Sequence, residues 1–275
     1  MNIFKLISDY VGGINGVTID MIKYEIAISN GWNSKDNHGN TPLLLSCKHH
    51  LLDLTIFLLE NLVDVNAQDN EGYTALMEIC EYNDLDMAKL LIKNGANLET
   101  CTYYYKSTPL YRACLYDSQE VVKYLIKKKA NLNTQDYCGY SPLFLCCING
   151  YIETATLLIN NGADVNIRDY KTGNHALNVA IETQRRSLVI LLMEKGAFLN
   201  LQGSQGLTPL MIACKTNQLD IATLLLQNKA DMNIKDNNGK TFMEYIENEV
   251  FKKQIIDLKE QLFLIERTKE SVTFL

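Results

Sequence analysis

The sequence predicts an all-α repeat solenoid, a stack of paired short helices joined by tight turns. Three observations predict it. Five of the eight cysteines, Cys47, Cys80, Cys114, Cys147 and Cys214, lie 33, 34, 33 and 67 residues apart, the last interval being two steps of one period. A Thr-Pro-Leu-like triplet keeps the same step: Thr41-Pro42-Leu43, Thr74-Ala75-Leu76, Thr108-Pro109-Leu110, Ser141-Pro142-Leu143, His175-Ala176-Leu177, Thr208-Pro209-Leu210 and Thr241-Phe242-Met243. Between triplets runs a leucine-rich stripe, as at Leu54, Ile56, Phe57, Leu58 and Leu59, or at Ile221, Leu224, Leu225 and Leu226. A fixed period of this length marks units that cannot bury their apolar faces alone and do so against their neighbours. One continuous array is therefore expected rather than two globular domains.

Each unit reads in the same order. A turn comes first, as at Asp36-Asn37-His38-Gly39, Asp69-Asn70-Glu71-Gly72 or Asp236-Asn237-Asn238-Gly239. Asp and Asn tolerate left-handed backbone angles there, and Gly adopts them without steric cost. The triplet opens the first helix: its Thr hydroxyl can accept from an early amide, and Pro fits a first turn that needs no N–H. The leucine stripe forms a second helix, closed by a Gly-Ala step at Gly95-Ala96, Gly162-Ala163 and Gly196-Ala197. The repeat cysteines, with Cys146 beside Cys147, take the place of small buried hydrophobes.

At these residues the sequence resembles the ankyrin repeat family, whose pattern is close to D-x-x-G-x-T-P-L-x-x-A-A, a second helix and G-A-D-V-N. The best local match is Asn160-Asn161-Gly162-Ala163-Asp164-Val165-Asn166 leading to Asp169. The resemblance implies β-hairpin tips along one edge, first helices lining a concave face, and protein recognition by both. Three units depart from the pattern. The third replaces the turn with Thr102-Tyr103-Tyr104-Tyr105-Lys106, one residue longer. The fifth reads Asp169-Tyr170-Lys171-Thr172-Gly173, again one longer, with His175 in the capping position, where it is expected to hydrogen-bond its own turn. The sixth, Gly203-Ser204-Gln205-Gly206, lacks the Asp. All three tips are expected to deviate from their neighbours.

The organisation expected is a degenerate N-terminal capping repeat over 1–35, the ankyrin array over 36–246 and a C-terminal capping helix or tail over 247–275. Terminal units of a stack are atypical because one face of each meets water. Helices are expected at Ile3–Val11 and Ile19–Ser29, separated by Gly12-Gly13-Ile14-Asn15-Gly16. Near the other end Phe251, Ile255, Leu258, Leu262 and Ile265 recur at intervals of 4, 3, 4 and 3. This seam lasts about two heptads, short of a sustained coiled coil. It either caps the last repeat or pairs with a second chain.

Composition narrows the chemistry. The 275 residues are 47% hydrophobic and 21% charged, enough apolar surface for a core, and the net charge is −6. An acidic chain is a poor match for phosphate backbones, so no nucleic-acid role is expected; Lys127-Lys128-Lys129 ends a second helix, where cations complement the helix dipole. No membrane insertion is expected, since no apolar run approaches about 20 residues. Lys5 and Asp9 interrupt the start where a secretory leader would be apolar. Eight thiols with no C-x-x-C spacing read as unpaired and metal-free, which fits an intracellular, cytoplasmic setting. That setting is a host cytoplasm if the chain is a pathogen effector, an association prompted by its Asn-, Ile- and Lys-rich wording. No catalytic residues, cofactor or metal are expected: His38, His49, His50 and His175 form no i, i+4 ligand pair, and no nucleophile or phosphate-loop motif occurs.

What stands out is tyrosine, with 15 Tyr against 8 Phe and 1 Trp. Exposed tyrosine offers apolar area and a hydroxyl at low entropic cost. The partner-binding set expected is Tyr104, Tyr105, Tyr137 and Tyr170 at the tips, Tyr73 and Tyr140 one place after the turn Gly, and Tyr82 and Tyr116 on the first helices. The function expected is a non-enzymatic protein-binding scaffold, monomeric on its own, serving as adaptor, inhibitor or effector. Two alternatives stay open: a spacer that assembles through the C-terminal helix, and an adaptor whose C-terminal segment recruits degradation machinery.

Overall fold

The computed structural model describes residues 2–272, the side chains of 262 and 265–272 excepted. The chain forms two compact units, Met1–Pro142 with Asn160–Gly162, and Leu143–Ile159 with Ala163–Leu275.

The first unit opens with α1 (Ile3–Val11) and α2 (Ile19–Ser29), the two helices expected there. Asn2 caps α1, its side-chain oxygen accepting from the Phe4 amide, and Thr18 caps α2. Three helix pairs follow: α3 (Pro42–Lys48) with α4 (Leu52–Glu60), α5 (Ala75–Tyr82) with α6 (Leu85–Lys93), and α7 (Pro109–Leu115) with α8 (Gln119–Lys127). The triplet threonines act as the sequence suggests. Thr41, Thr74 and Thr108 accept from the amides of Leu44, Met77 and Tyr111 at 3.2, 3.4 and 3.3 Å. First helices α3, α5 and α7 pack in chain order, as do second helices α4, α6 and α8, so each unit's apolar face is covered by the next. Leu43, Cys47, Leu76, Cys80, Leu110 and Cys114 are buried together along this run.

The second unit holds α9 (Pro142–Asn149) with α10 (Ile152–Asn160), α11 (Ala176–Glu182) with α12 (Arg186–Glu194), and α13 (Pro209–Lys215) with α14 (Leu219–Gln227). The last triplet makes only a 3-10 turn, Phe242–Tyr245, before α15 (Glu249–Val272) packs on α14. Phe251 and Ile255 of α15 are buried and Leu258 is half-buried. The side chains of Leu262 and Ile265, which complete the expected seam, lie outside the described residues.

The turns are built by their aspartates. Asp36, Asp69, Asp136 and Asp236 each accept from the amides two and four residues on through Oδ1, at 2.7–2.9 Å. This orders the loop and satisfies amides that the following helix cannot reach. Among the described residues no strand is formed; one isolated antiparallel bridge joins Arg168 and His175.

All three atypical turns deviate as expected, two of them in length. The closing bond runs from Thr102 N to Ser107 O and from Asp169 N to Asn174 O, a residue longer than Asp36 N to Asn40 O. The sixth keeps the ordinary closing spacing, Gly203 N to Leu207 O, but deviates in conformation: Ser204–Gly206 form a 3-10 turn with Gln205 at φ 59°. There Asn174 of the preceding repeat supplies the missing oxygen, accepting from Ser204 N at 3.0 Å.

His175 also corrects the sequence reading. It makes no capping bond to its own turn. Its ring is fully buried, and Nε2 lies 3.0 Å from the Phe198 carbonyl, 23 residues on. A carbonyl only accepts, so Nε2 carries the proton; Nδ1 is left as the acceptor, but it is buried without a hydrogen-bond partner, so it caps no amide. Burial, assisted by Arg168, lowers its pKa to about 4, so the ring is neutral at pH 7.

Candidate functional site

The expected tyrosines fall into three settings. Tyr104, Tyr105 and Tyr137 of the first unit and Tyr170 of the second are 72%, 65%, 73% and 68% exposed. These are the tip residues.

In the first unit main-chain bonds hold successive tips together. The Asn70 amide donates to the His38 carbonyl at 2.9 Å, Tyr103 to Glu71 at 2.9 Å, and Tyr137 to Tyr105 at 2.9 Å. The last two bonds gather Glu71, Tyr104, Tyr105 and Tyr137 around one groove. The extra residue of the third turn widens the loop that presents the two middle tyrosines. Its left-handed position, Gly at the other turns, is Lys106 with φ 58°.

The second setting is the first-helix side of the same unit. The Arg112 guanidinium stands 5.0 Å from the ring centres of both Tyr73 and Tyr116, pairs with the Glu81 carboxylate and donates to the Tyr116 hydroxyl at 3.3 Å. Tyr73 is half-buried, and burial raises its pKa. Tyr82 meets the His50 ring edge-on at 4.5 Å, and His50 Nδ1 is 3.5 Å from Asp84. The third setting is that of Tyr140. It is half-buried behind its turn, its amide bonded to Asp136 at 2.8 Å. The structure thus brings Tyr104, Tyr105 and Tyr137 together, and separately joins Tyr73 with Tyr116 through Arg112.

Sequence reasoning missed Glu71, Glu81 and Arg112. A signal for Arg112 was present: four residues after the capping position the other repeats carry Leu45, Leu145, Val179 and Ile212, while the second and third carry Glu78 and Arg112. Burial raises the pKa of Glu78, a cost that Lys48 and Arg112 offset.

Among the described residues no group of three or more His, Cys, Asp or Glu side chains is placed to hold a metal ion. No described helix is long and apolar enough to cross a membrane.

Comparison with known proteins bears on the whole array. The family model described as ankyrin repeats matches in three copies, over residues 14–102, 97–169 and 169–236. Among solved structures, the ankyrin repeat domain of Bcl-3, described as a unique member of the IkappaB protein family, is similar with a TM-score of 0.72 and 23% identity. The match covers 82% of this chain and 100% of that one. No curated protein matches the sequence.

Proposed function

Because this chain belongs to the ankyrin repeat family, we propose that it is a non-enzymatic scaffold that binds a protein partner, with the tyrosine tips as its principal contact. The observation that carries this is the gathering of three well-exposed tyrosines, Tyr104, Tyr105 and Tyr137, around one groove by main-chain bonds between turns. Large exposed aromatics held on a rigid frame are the usual anchors of interfaces. Tyr170 offers a fourth exposed tip, and Tyr82 and Tyr116 offer further aromatic surface on the first helices, with Tyr73 and Tyr140 at their margin. The eight thiols, none in a disulfide among the described residues, suit a reducing compartment, and the terminal segments 1–35 and 247–275 act as caps of the array.

The test compares capture of prey from lysate by the wild type and by the triple variant Tyr104→Ala, Tyr105→Ala, Tyr137→Ala, with circular dichroism confirming the fold. Selective loss of one prey supports the reading. Retention of every prey by the variant, with loss on truncating either end, moves the interface to the caps.

One observation favours a second reading. Val250 and Ile256 of α15 are exposed apolar side chains, and a second copy could cover them. Sedimentation at micromolar concentration separates the two: a monomer supports the scaffold acting alone, and a dimer abolished by Ile256→Glu supports assembly through α15.

A further inference from the structure

The groove at the tips has a composition that the protein itself uses elsewhere. On the first-helix side, two tyrosine rings and one glutamate surround a cation of the same chain, Arg112. At the tips, three tyrosine rings and one glutamate, Glu71, line a groove whose lining holds no cation among the described residues. Among the described residues, no Lys or Arg stands over Tyr104, Tyr105 or Tyr137, and the Glu71 carboxylate enters no ion pair. Lys106, the neighbouring cation in sequence, makes neither contact.

Tyrosine rings present a negative π face that attracts a guanidinium or ammonium group, and a carboxylate at the edge of the same site adds a Coulomb term. The net charge of −6 favours approach of a positive segment. Resting on the scaffold reading above, we propose that the groove lined by Glu71, Tyr104, Tyr105 and Tyr137 seats an arginine side chain of a basic peptide segment in the partner. The rings hold the guanidinium plane and Glu71 receives its N–H groups. The backbone bonds Tyr103 to Glu71 and Tyr137 to Tyr105 set the spacing of the seat before the ligand arrives, so little ordering cost is left to binding.

The probe is an acetylated, amidated Gly-Gly-Arg-Gly-Gly peptide, set beside the same peptide with neutral, isosteric citrulline. The readout is the tyrosine ring signals in NMR, assigned with single Tyr→Phe variants. Saturable shifts of Tyr104, Tyr105 and Tyr137 are expected in the millimolar range, with affinity about threefold or more better for arginine than for citrulline. Glu71→Gln is expected to weaken the arginine peptide about threefold while leaving the fold intact, and Tyr137→Ala to abolish the remaining shifts. Equal binding of the citrulline peptide, no effect of Glu71→Gln, or no movement of these rings overturns the proposal. A failure here is distinguishable from failure of the scaffold reading. A prey lost with the tyrosine triple variant but indifferent to Glu71→Gln keeps the scaffold and removes the cation seat. A prey retained by the triple variant removes the tip interface, whatever the peptide does.

Discussion

The Tyr111 hydroxyl donates a 2.6 Å hydrogen bond to Oδ2 of Asp136, 25 residues on, joining α7 of the third repeat to the turn of the fourth. The same aspartate orders its own turn through Oδ1. One carboxylate thus closes a loop and ties it to the preceding helix. Tyr111 is buried, and burial together with the negative partner pushes its pKa far above the ordinary phenol value. A hydrogen bond to a charged acceptor contributes about 1.5–3 kcal/mol. Tyr111→Phe, which keeps the ring, is therefore expected to cost roughly 2 kcal/mol by urea denaturation. A cost under about 0.5 kcal/mol would mean that water replaces the hydroxyl without loss.

The pH dependence of stability should carry the mark of His175. Its folded pKa of about 4 lies below the ordinary 6.5. Between those values the unfolded chain takes up a proton that the folded chain refuses, so stability falls as pH drops from 6.5 to 4 and the loss levels off below that. The full loss is about 3 kcal/mol for this one site. Glu78 and Glu182, whose pKa values burial raises, act with the opposite sign. His175→Thr, which brings in the residue of five of the other six triplets, isolates the histidine. Denaturation at several pH values should show the wild-type slope flattened in the variant, and an unchanged slope would contradict the buried neutral ring.

Four non-glycine residues sit where the pattern prefers glycine: Leu62, Lys129 and Lys229 after second helices, and Lys106 in the third turn. Leu62 closes α4 at φ 55° with 91% of its surface exposed, and Lys106 holds the third turn at φ 58°. Side chains pay about 1–2 kcal/mol in this region, partly returned because glycine gains freedom when unfolded. Leu62→Gly and Lys106→Gly should each raise stability by about 0.5–1 kcal/mol in thermal or urea unfolding. Loss of stability would show that these side chains make compensating contacts.

Thiol reactivity should follow burial. Cys138 is exposed and Cys101 half-buried, while Cys47, Cys80, Cys114, Cys146, Cys147 and Cys214 are buried. Burial lifts Cys47 and Cys214 to about 12 and also raises Cys147 well above the ordinary thiol value. The thiolate is the reactive form, so a disulfide reagent at pH 8 should modify Cys138 first, Cys101 next and the other six only on unfolding. Mass spectrometry of partly labelled protein reads this order, and early modification of Cys47 or Cys147 would count against the register of the core.

The period, the turns and the caps were legible in the sequence because each rests on contacts within a few residues. Thr41 caps an amide three residues away, and Asp36 orders amides two and four residues away. The ends of α1 and α2 fall where Asn2 and Thr18 place them. The exposed tip tyrosines were legible for the same reason, as turn residues. What was not legible depends on partners roughly one repeat away. His175 finds Phe198, Asn174 completes the turn at Ser204, and Arg112 reaches back to Tyr73 and Glu81. Local pattern says which residues are unusual. It does not say what their neighbours in the stack will offer them.

Side chains add bonds between neighbouring turns, as from Asn70 Nδ2 to the Asn37 carbonyl, but the joints of the tips themselves in the first unit are main-chain amides and carbonyls, at Asn70 to His38, Tyr103 to Glu71 and Tyr137 to Tyr105. These groups belong to every residue type, with proline's missing N–H as the single exception. The side chains at those positions can therefore be rewritten one by one while the joints persist. Specificity and architecture are thereby uncoupled: a lineage can trade tyrosines and glutamate for other chemistries and inherit the same frame. Proline at Asn70, Tyr103 or Tyr137 would break that inheritance, and so would a side chain at Gly39 or Gly72, whose Cβ would meet the Asn70 or Tyr103 amide at 2.6 Å.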